Sequence, residues 1–333
     1  MTLALLEERR READRRLDEL RSQLASSDAD FRGKACVYVT GSFGRAEASS
    51  HSDLDLFIVG LTEDRKLNDP RRLFSAIDEA LLKADLIRAA SSLGFPEFDR
   101  EGEFLVHHSL NDLIRTLGHP TDDAVNTFTA RLLLLLESRP LLEETIYNTV
   151  IDEAINAYWV DFEGHEANFL PAFLANDILR LWRTFCVNYE AFTKREPDRE
   201  RAKRQLKNYK LRHSRLLTCY SALAHLLEVY RANSTVTPGD IRAMVGMTPT
   251  GRLQWLARQH AGSPTADHAR KCFELYQKFL AETDAPKEDL IAKFLDRSKR
   301  KRLGEAESEF GDEMYRLLAS IDSGSTLFRL LVV

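Results

Sequence analysis

Hydrophobic positions recur every three to four residues over residues 3–25, where Leu3, Leu5, Leu6, Leu17, Leu20 and Leu24 stand among Arg and Glu without Gly or Pro. This spacing predicts a charged surface helix. After Ser26-Ser27-Asp28 the pattern changes. Ala35-Cys36-Val37-Tyr38-Val39 and Leu54-Asp55-Leu56-Phe57-Ile58-Val59 are short β-rich runs, predicting two strands either side of a Gly/Ser-rich loop. Helical spacing returns over residues 69–93 through Leu73, Ile77, Leu81, Leu82, Leu86 and Ile87, with Gly94 as the C-cap. Residues 95–108 alternate and are expected to supply further strand. From about residue 121 onward the helical period takes over. Helices are expected near 122–137, 141–160, 170–193, 203–231, 238–259, 265–282, 287–301 and 305–320, broken by Pro140, Pro171, Pro197 and Pro286. The final Leu327 to Val333 reads as a strand or as a tail docked on the core. The expected organisation is a helix over residues 1–29, an α+β domain with a mixed sheet and helices over 30–120, and an all-α helical domain over 121–333.

The chain of 333 residues is long enough for two such cores at roughly 150 residues per domain. Its net charge of −5 excludes the overall electrostatic footprint of a dedicated duplex binder. The longest apolar run, Leu132 to Leu136, is flanked by Arg131 and Glu137 and falls far short of the roughly 20 residues that cross a bilayer. No membrane partner is therefore expected. The start of the chain turns at once into Glu7-Glu8-Arg9-Arg10-Arg11-Glu12 and resembles no leader sequence, which points to the cytoplasm. Cys36, Cys186, Cys219 and Cys272 are scattered in apolar sequence and read as buried free thiols.

The loop between the two early strands carries the candidate chemistry. Gly41 and Gly44 permit a tight turn and expose backbone N–H groups to an anion, Ser42 offers a hydroxyl donor to a phosphate oxygen, and Arg45 offers charge-assisted bonds. Asp53 and Asp55 stand two apart at the start of a strand. Period-two alternation places both carboxylates on one face, within reach of a shared divalent cation, Mg²⁺ or Mn²⁺. A turn or a solvated strand edge shows either feature alone, and it is their combination that points to phosphoryl transfer.

Gly-Ser-x-Gly-Arg, followed eight residues later by Asp-x-Asp, resembles the signature of the DNA polymerase β-like nucleotidyltransferase superfamily. Within it, the Gly-Arg-x-Glu-x-Ser-x-x-Ser-Asp-x-Asp form is most similar to the minimal, adenylyltransferase and PII-uridylyltransferase branches. The resemblance is strongest over residues 35–59 and extends more loosely over 30–120. It implies a mixed sheet backed by helices, an NTP held by the Gly-Ser loop, and metals held by Asp53 and Asp55. It also implies a third carboxylate on a later strand, acting as base or metal ligand. Glu97, Asp99, Glu101 and Glu103 are the candidates; Glu103 is preferred because it opens the cleanest apolar run, with Asp99 in reserve. A weaker similarity to PII uridylyltransferases follows, from His108 through Asp122-Asp123 and Arg131-Leu132-Leu133 to Leu141. Asp122 and Asp123 also suit a helix N-terminus on dipole grounds.

In the helical half, residues 194–215 hold ten Lys or Arg against three Asp or Glu, a segregation that calls for an anionic neighbour or a solvated face. Lys203, Lys207 and Lys210 share one side of the expected helix, and Leu206, Tyr209, Leu216, Leu217 and Tyr220 mark its buried side. In related nucleotidyltransferases a helical lobe closes over the triphosphate, which makes Lys207 and Lys210 candidate nucleotide-binding residues. Arg180 and Arg183 are further candidates to line such a cleft. His107 and His108 are adjacent in an expected strand and therefore point to opposite faces, so they do not share one metal site. The functional expectation is a Mg²⁺-dependent enzyme moving a nucleoside monophosphate from an NTP to a hydroxyl on a protein side chain, an RNA end or a small molecule. The alternative is a nucleotide-binding regulatory or toxin–antitoxin module with little transfer activity.

Overall fold

β1 (Ala35–Val39) and β2 (Leu56–Gly60) are buried at every residue, which is why both read as nearly unbroken apolar runs. The computed structural model describes residues 2–63, 71–98, 105–190 and 197–332. β1 and β2 pair antiparallel, with Ala35 opposite Gly60 and Val39 opposite Leu56. β3 (His107–Ser109) joins β2 in parallel, and β4 (Arg139–Leu142) joins β1 antiparallel through a register shift at Val37/Tyr38. The result is a four-stranded mixed sheet of order β3-β2-β1-β4 in an otherwise largely helical α+β chain.

The chain forms two compact units, residues 6–158 and residues 159–333 together with 1–5. In the first, α1 (Thr2–Gln23) and α2 (Ala25–Asp30) precede β1, α3 (Gly41–Gly44) follows it, and α4 (Ala76–Ser92) follows β2. α5 (Leu110–Arg115), α6 (Thr121–Ala124), α7 (Thr127–Glu137) and α8 (Glu144–Tyr158) complete the unit. Side chains of β1 and β2 alternate between two cores. Val37, Val39, Leu56 and Ile58 join Leu17 and Leu20 of α1 and Leu82 and Leu86 of α4 on one side. On the other, Tyr38 stacks on Phe57, its ring lies 6.1 Å from that of Tyr147 in α8, and its hydroxyl donates to the Ala130 carbonyl in α7.

The expected boundary at residue 120 falls inside this unit, because β4 completes the sheet and α7 and α8 cover it. β4 is also the strand that the helical spacing after residue 121 concealed: it is four residues long, contains Pro140 and has no period of its own. α4 starts later than expected because Ser75 and Asp78 form a reciprocal capping box. Of the strand expected over 95–108, β3 is the part found among the described residues. Among those residues no helix is long and apolar enough to cross a membrane.

The second unit contains α9 (Ala172–Glu190), α10 (Asp198–Lys210), α11 (Leu216–Asn233), α12 (Pro238–Val245), α13 (Pro249–Gln259), α14 (Pro264–Glu282), α15 (Lys287–Leu295), α16 (Arg297–Asp322) and α17 (Thr326–Val332). The C-terminal segment is a helix packed against α9, α11 and α16 with Leu327 buried, so it is docked on the core as expected and is not a strand. α11 is buried along most of its length among α9, α13 and α16. A single π-helical turn, Leu211–Arg215, joins α10 to α11. It seats the His213 ring between Phe279 and Phe310, at centroid distances of 4.5 and 5.2 Å, while Nδ1 donates to the Tyr209 carbonyl.

Burial pushes His108, His213 and His225 down to about 4. Because these folded-state values lie below the ordinary 6.5, the unfolded chain binds more protons between the two. Their contribution is complete above about pH 6.5 and is lost as pH falls towards 4, by about 1.4 kcal/mol per pH unit for each histidine. Thermal melts should therefore show a falling midpoint over this window, and His213→Phe should flatten it. Equal slopes in wild type and variant would contradict this assignment.

Candidate functional site

Gly41 is where the loop meets the second aspartate. The end of β1 passes into α3 at Thr40, whose amide donates to the Asp55 carbonyl and so extends the β1–β2 ladder by one residue. Gly41 follows with φ +62°, in the left-handed region that favours glycine. A Cβ placed there would lie 2.2 Å from Asp55 Oδ2 and 3.3 Å from its Cγ. The loop backbone and the second aspartate are therefore in direct contact. β2 begins at Leu56, so Asp53 and Asp55 lie just ahead of the strand and not within it. The alternation nevertheless holds: Leu54 and Leu56 are buried in the core, and both aspartates are exposed.

The remaining loop residues divide into those that face outward and those that hold the loop. Ser42 is half-buried at the start of α3. Gly44 serves packing, since a Cβ there would meet the Glu137 carbonyl at 2.0 Å and the Val39 carbonyl at 3.0 Å. The amides expected to await an anion are largely occupied. Gly41 N–H donates to Glu137 Oε1 at 3.1 Å, Gly44 N–H to the Thr40 carbonyl and Arg45 N–H to the Gly41 carbonyl. Arg45 is likewise turned inward: it is 7% exposed, with Nε on Glu47 at 2.5 Å and Nη1 on Glu137 at 2.9 Å. Its charge is committed to a buried network, and it builds the loop in place of the ligand contact expected of it. The Thr40 hydroxyl is buried without a hydrogen-bond partner among the described residues.

α1 grips the same loop from outside. Arg9 Nη1 donates to the Glu47 carbonyl at 3.2 Å, and Arg16 Nη1 to the Ser49 carbonyl at 3.3 Å. The Arg16 guanidinium sits 3.9 Å from the Phe95 ring centroid and 5.4 Å from that of Phe43 inside α3. Arg21 caps the Pro140 and Leu141 carbonyls of β4 at 2.6 and 3.2 Å. The helix expected as a separate N-terminal segment is thus part of the frame that positions residues 41–55.

Glu137 is the residue that sequence reasoning missed. It ends α7, is 3% exposed, and ties Gly41 and Arg45 together from 96 and 92 positions away. The available signal was its place at the end of the Leu132–Leu136 run, where a charge that continues a wholly buried helix requires a partner. Arg131, at the other end of that run, is also fully buried. It bonds to Asp122, the Leu113 carbonyl and the Tyr158 hydroxyl. Asp122 stands in the first turn of α6, as dipole grounds suggest, and is also this buried partner.

Glu103, Glu101 and Asp99 lie outside the described residues, and Glu97 is exposed. Among the described residues no group of three His, Cys, Asp or Glu side chains is arranged to hold a metal. His107 and His108 face opposite sides of the sheet as expected: His107 packs edge-on against Phe74 with Nδ1 3.4 Å from Glu79, and His108 lies against Phe57. Burial lowers the pKa of His107, with Glu79 acting in the opposite direction. Lys207 and Lys210 belong to the second unit, exposed in the last turn of α10. Arg180 pairs with Asp177 at 3.4 Å, and Arg183 is exposed on α9. Compared with known proteins, the chain matches no family model, no curated protein and no solved structure.

Proposed function

We propose that residues 41–55 form the donor site of a nucleotidyltransferase related to the DNA polymerase β-like superfamily. On this reading the protein transfers a nucleoside monophosphate from an NTP to a hydroxyl acceptor. The observation that carries the reading is the contact between Gly41 and the Asp55 carboxylate, which brings the Gly-Ser loop against the second aspartate. The exposed carboxylates of Asp53 and Asp55 are hard oxygen donors, a chemistry that fits Mg²⁺ or Mn²⁺. Asp53 and Asp55 would hold the ion, which when bound supplies charge neutralisation at the leaving pyrophosphate and the attacking oxygen.

This chain's own residues do the positioning. Ser42 donates its hydroxyl to a phosphate oxygen. The Arg45–Glu47–Glu137 network and the α1 arginines keep the loop preorganised, so that little ordering remains for the bound state. The acceptor oxygen forms a bond to the α-phosphorus as the bond to pyrophosphate breaks. The acceptor's proton passes to a carboxylate, a role we assign to Glu103. The four free thiols accord with work in the reducing cytoplasm.

Incubation with each of four α-labelled NTPs, Mg²⁺ or Mn²⁺ and a cell extract, followed by separation of protein, RNA and small molecules, tests the reading. Label in one fraction that disappears with Asp53→Asn/Asp55→Asn identifies the acceptor class. Metal-dependent binding without label favours the regulatory module instead. Ser42→Ala should weaken NTP binding by roughly 1.5 to 3 kcal/mol, the worth of a hydrogen bond to a charged group. Unchanged affinity by calorimetric titration would remove Ser42 from the site.

A further inference from the structure

Thr40 stands between the two parts of the proposed donor site, with Gly41 next to it in the chain and Asp55 across from it in the sheet. Val37 and Val39 of β1 and Leu54, Leu56 and Ile58 along β2 point into the core shared with α1 and α4. Alternation therefore sets Tyr38 and Thr40, with Asp55 and Phe57, on the opposite face. The stacking of Tyr38 on Phe57 marks that face. The bond from the Thr40 amide to the Asp55 carbonyl makes Thr40 and Asp55 the next opposed pair along it. Opposed residues have Cβ atoms about 4.5–5.5 Å apart, so a hydroxyl on one reaches a carboxylate on the other by side-chain rotation alone.

Among the described residues the Thr40 hydroxyl is unengaged. The residue is 1% exposed, and its Oγ1 has no hydrogen-bond partner there. Thr40 is also the N-cap of α3, where a threonine hydroxyl ordinarily accepts a bond from the first turn, yet its side chain makes no capping bond. A buried hydroxyl left unpaired carries its full desolvation cost. Valine has nearly the same shape without that cost.

We propose that Thr40 is a positioning residue for Asp55: its hydroxyl donates to the Asp55 carboxylate when that side chain takes up a divalent ion, and so fixes the orientation of the ligating group. The inference rests on the donor-site reading above. A carboxylate that ligates a metal is ordinarily held in turn by a hydrogen bond from a neighbouring group, and loss of that bond costs roughly 10- to 100-fold in metal affinity. Thr40 meets both requirements of such a donor. It shares a face with Asp55, and its hydroxyl is already out of water, so the bond forms without further desolvation of the donor.

Titration of the full chain with Mn²⁺ alone, followed by the electron paramagnetic resonance of the free ion, tests it alongside thermal melting. Wild type should take up Mn²⁺ at a site that Asp55→Asn abolishes. Thr40→Val should bind the ion roughly 10- to 100-fold more weakly. Its melting midpoint should stay at or above that of wild type, because the hydroxyl it removes has no partner among the described residues. Thr40→Ser, which keeps the hydroxyl, should bind Mn²⁺ with close to wild-type affinity. A hydroxyl that served only the fold would show the opposite pattern, a lowered midpoint with unchanged Mn²⁺ affinity. Equal affinity in Thr40→Val and wild type would overturn the proposal and leave the donor site standing, as would a Thr40→Ser variant as weak as Thr40→Val. Wild type that binds Mn²⁺ no better than Asp55→Asn would remove the donor site itself, and the positioning role with it.

Discussion

On the proposed function, Gly41→Ala should abolish metal-dependent nucleotide binding while leaving most of the protein folded, whereas Gly44→Ala should destabilise the fold itself. At Gly41 the left-handed backbone imposes roughly 1–2 kcal/mol on any residue with a Cβ. The larger effect is local, because the new methyl would stand 2.2 Å from Asp55 Oδ2, and the carboxylate must rotate out of its position to make room. That movement removes the ligand group and leaves the sheet in place. At Gly44 the obstacle is the Glu137 carbonyl at 2.0 Å, a piece of backbone that cannot turn aside. There the β1–α3 connection itself must separate from α7. Metal-dependent NTP titration and thermal melting of both variants distinguish the two cases. Nucleotide binding that survives Gly41→Ala would detach Asp55 from the site.

Asp122→Leu should be among the most destabilising single substitutions in residues 6–158. Asp122 and Arg131 are both fully buried and bonded to each other, and removing one partner strands the other charge in the core. Breaking such a pair costs about 3–5 kcal/mol. Arg131→Met on its own leaves Asp122 uncompensated, and it also leaves the Leu113 carbonyl and Tyr158 hydroxyl short of a donor. Because much of each single loss is an orphaned charge, the double variant Asp122→Leu/Arg131→Met should recover a large part of it. Denaturant unfolding that finds the double variant as unstable as the sum of the singles would show that the two residues are not coupled and would contradict the orphaned-charge argument.

The local parts of this architecture were legible in the sequence. β1 is marked by five successive apolar residues, and the Gly-Ser turn and the Asp-Leu-Asp alternation are written within a few positions of each other. That Gly41 touches Asp55 follows almost directly from two antiparallel strands joined by that loop. Glu137 and Asp122 were not legible, because their meaning depends on partners contributed by other elements. A helix buried on every side, as α7 is, shows no polar stripe from which to orient it. Nothing in that pattern marks Glu137, at its C-terminal end, as buried. Arg45 misled for the same reason: an arginine beside a glycine-rich turn suits an anion, and only the tertiary structure brings Glu137 to claim it. β4 was concealed by its length and by the helical pattern on both sides.

On the proposed function, Asp53 and Asp55 act together with the Gly41–Ser42 turn as one metal-dependent nucleotide site. Isothermal titration of each NTP into wild type and into Asp53→Asn/Asp55→Asn, with Mg²⁺ and with the metal chelated, tests it most directly. Binding to wild type should require the metal and be lost in the double variant, whose circular dichroism and melting should remain those of wild type because both side chains are exposed. Equal NTP affinity in the two proteins, or no binding by the folded wild type to any NTP, would contradict it.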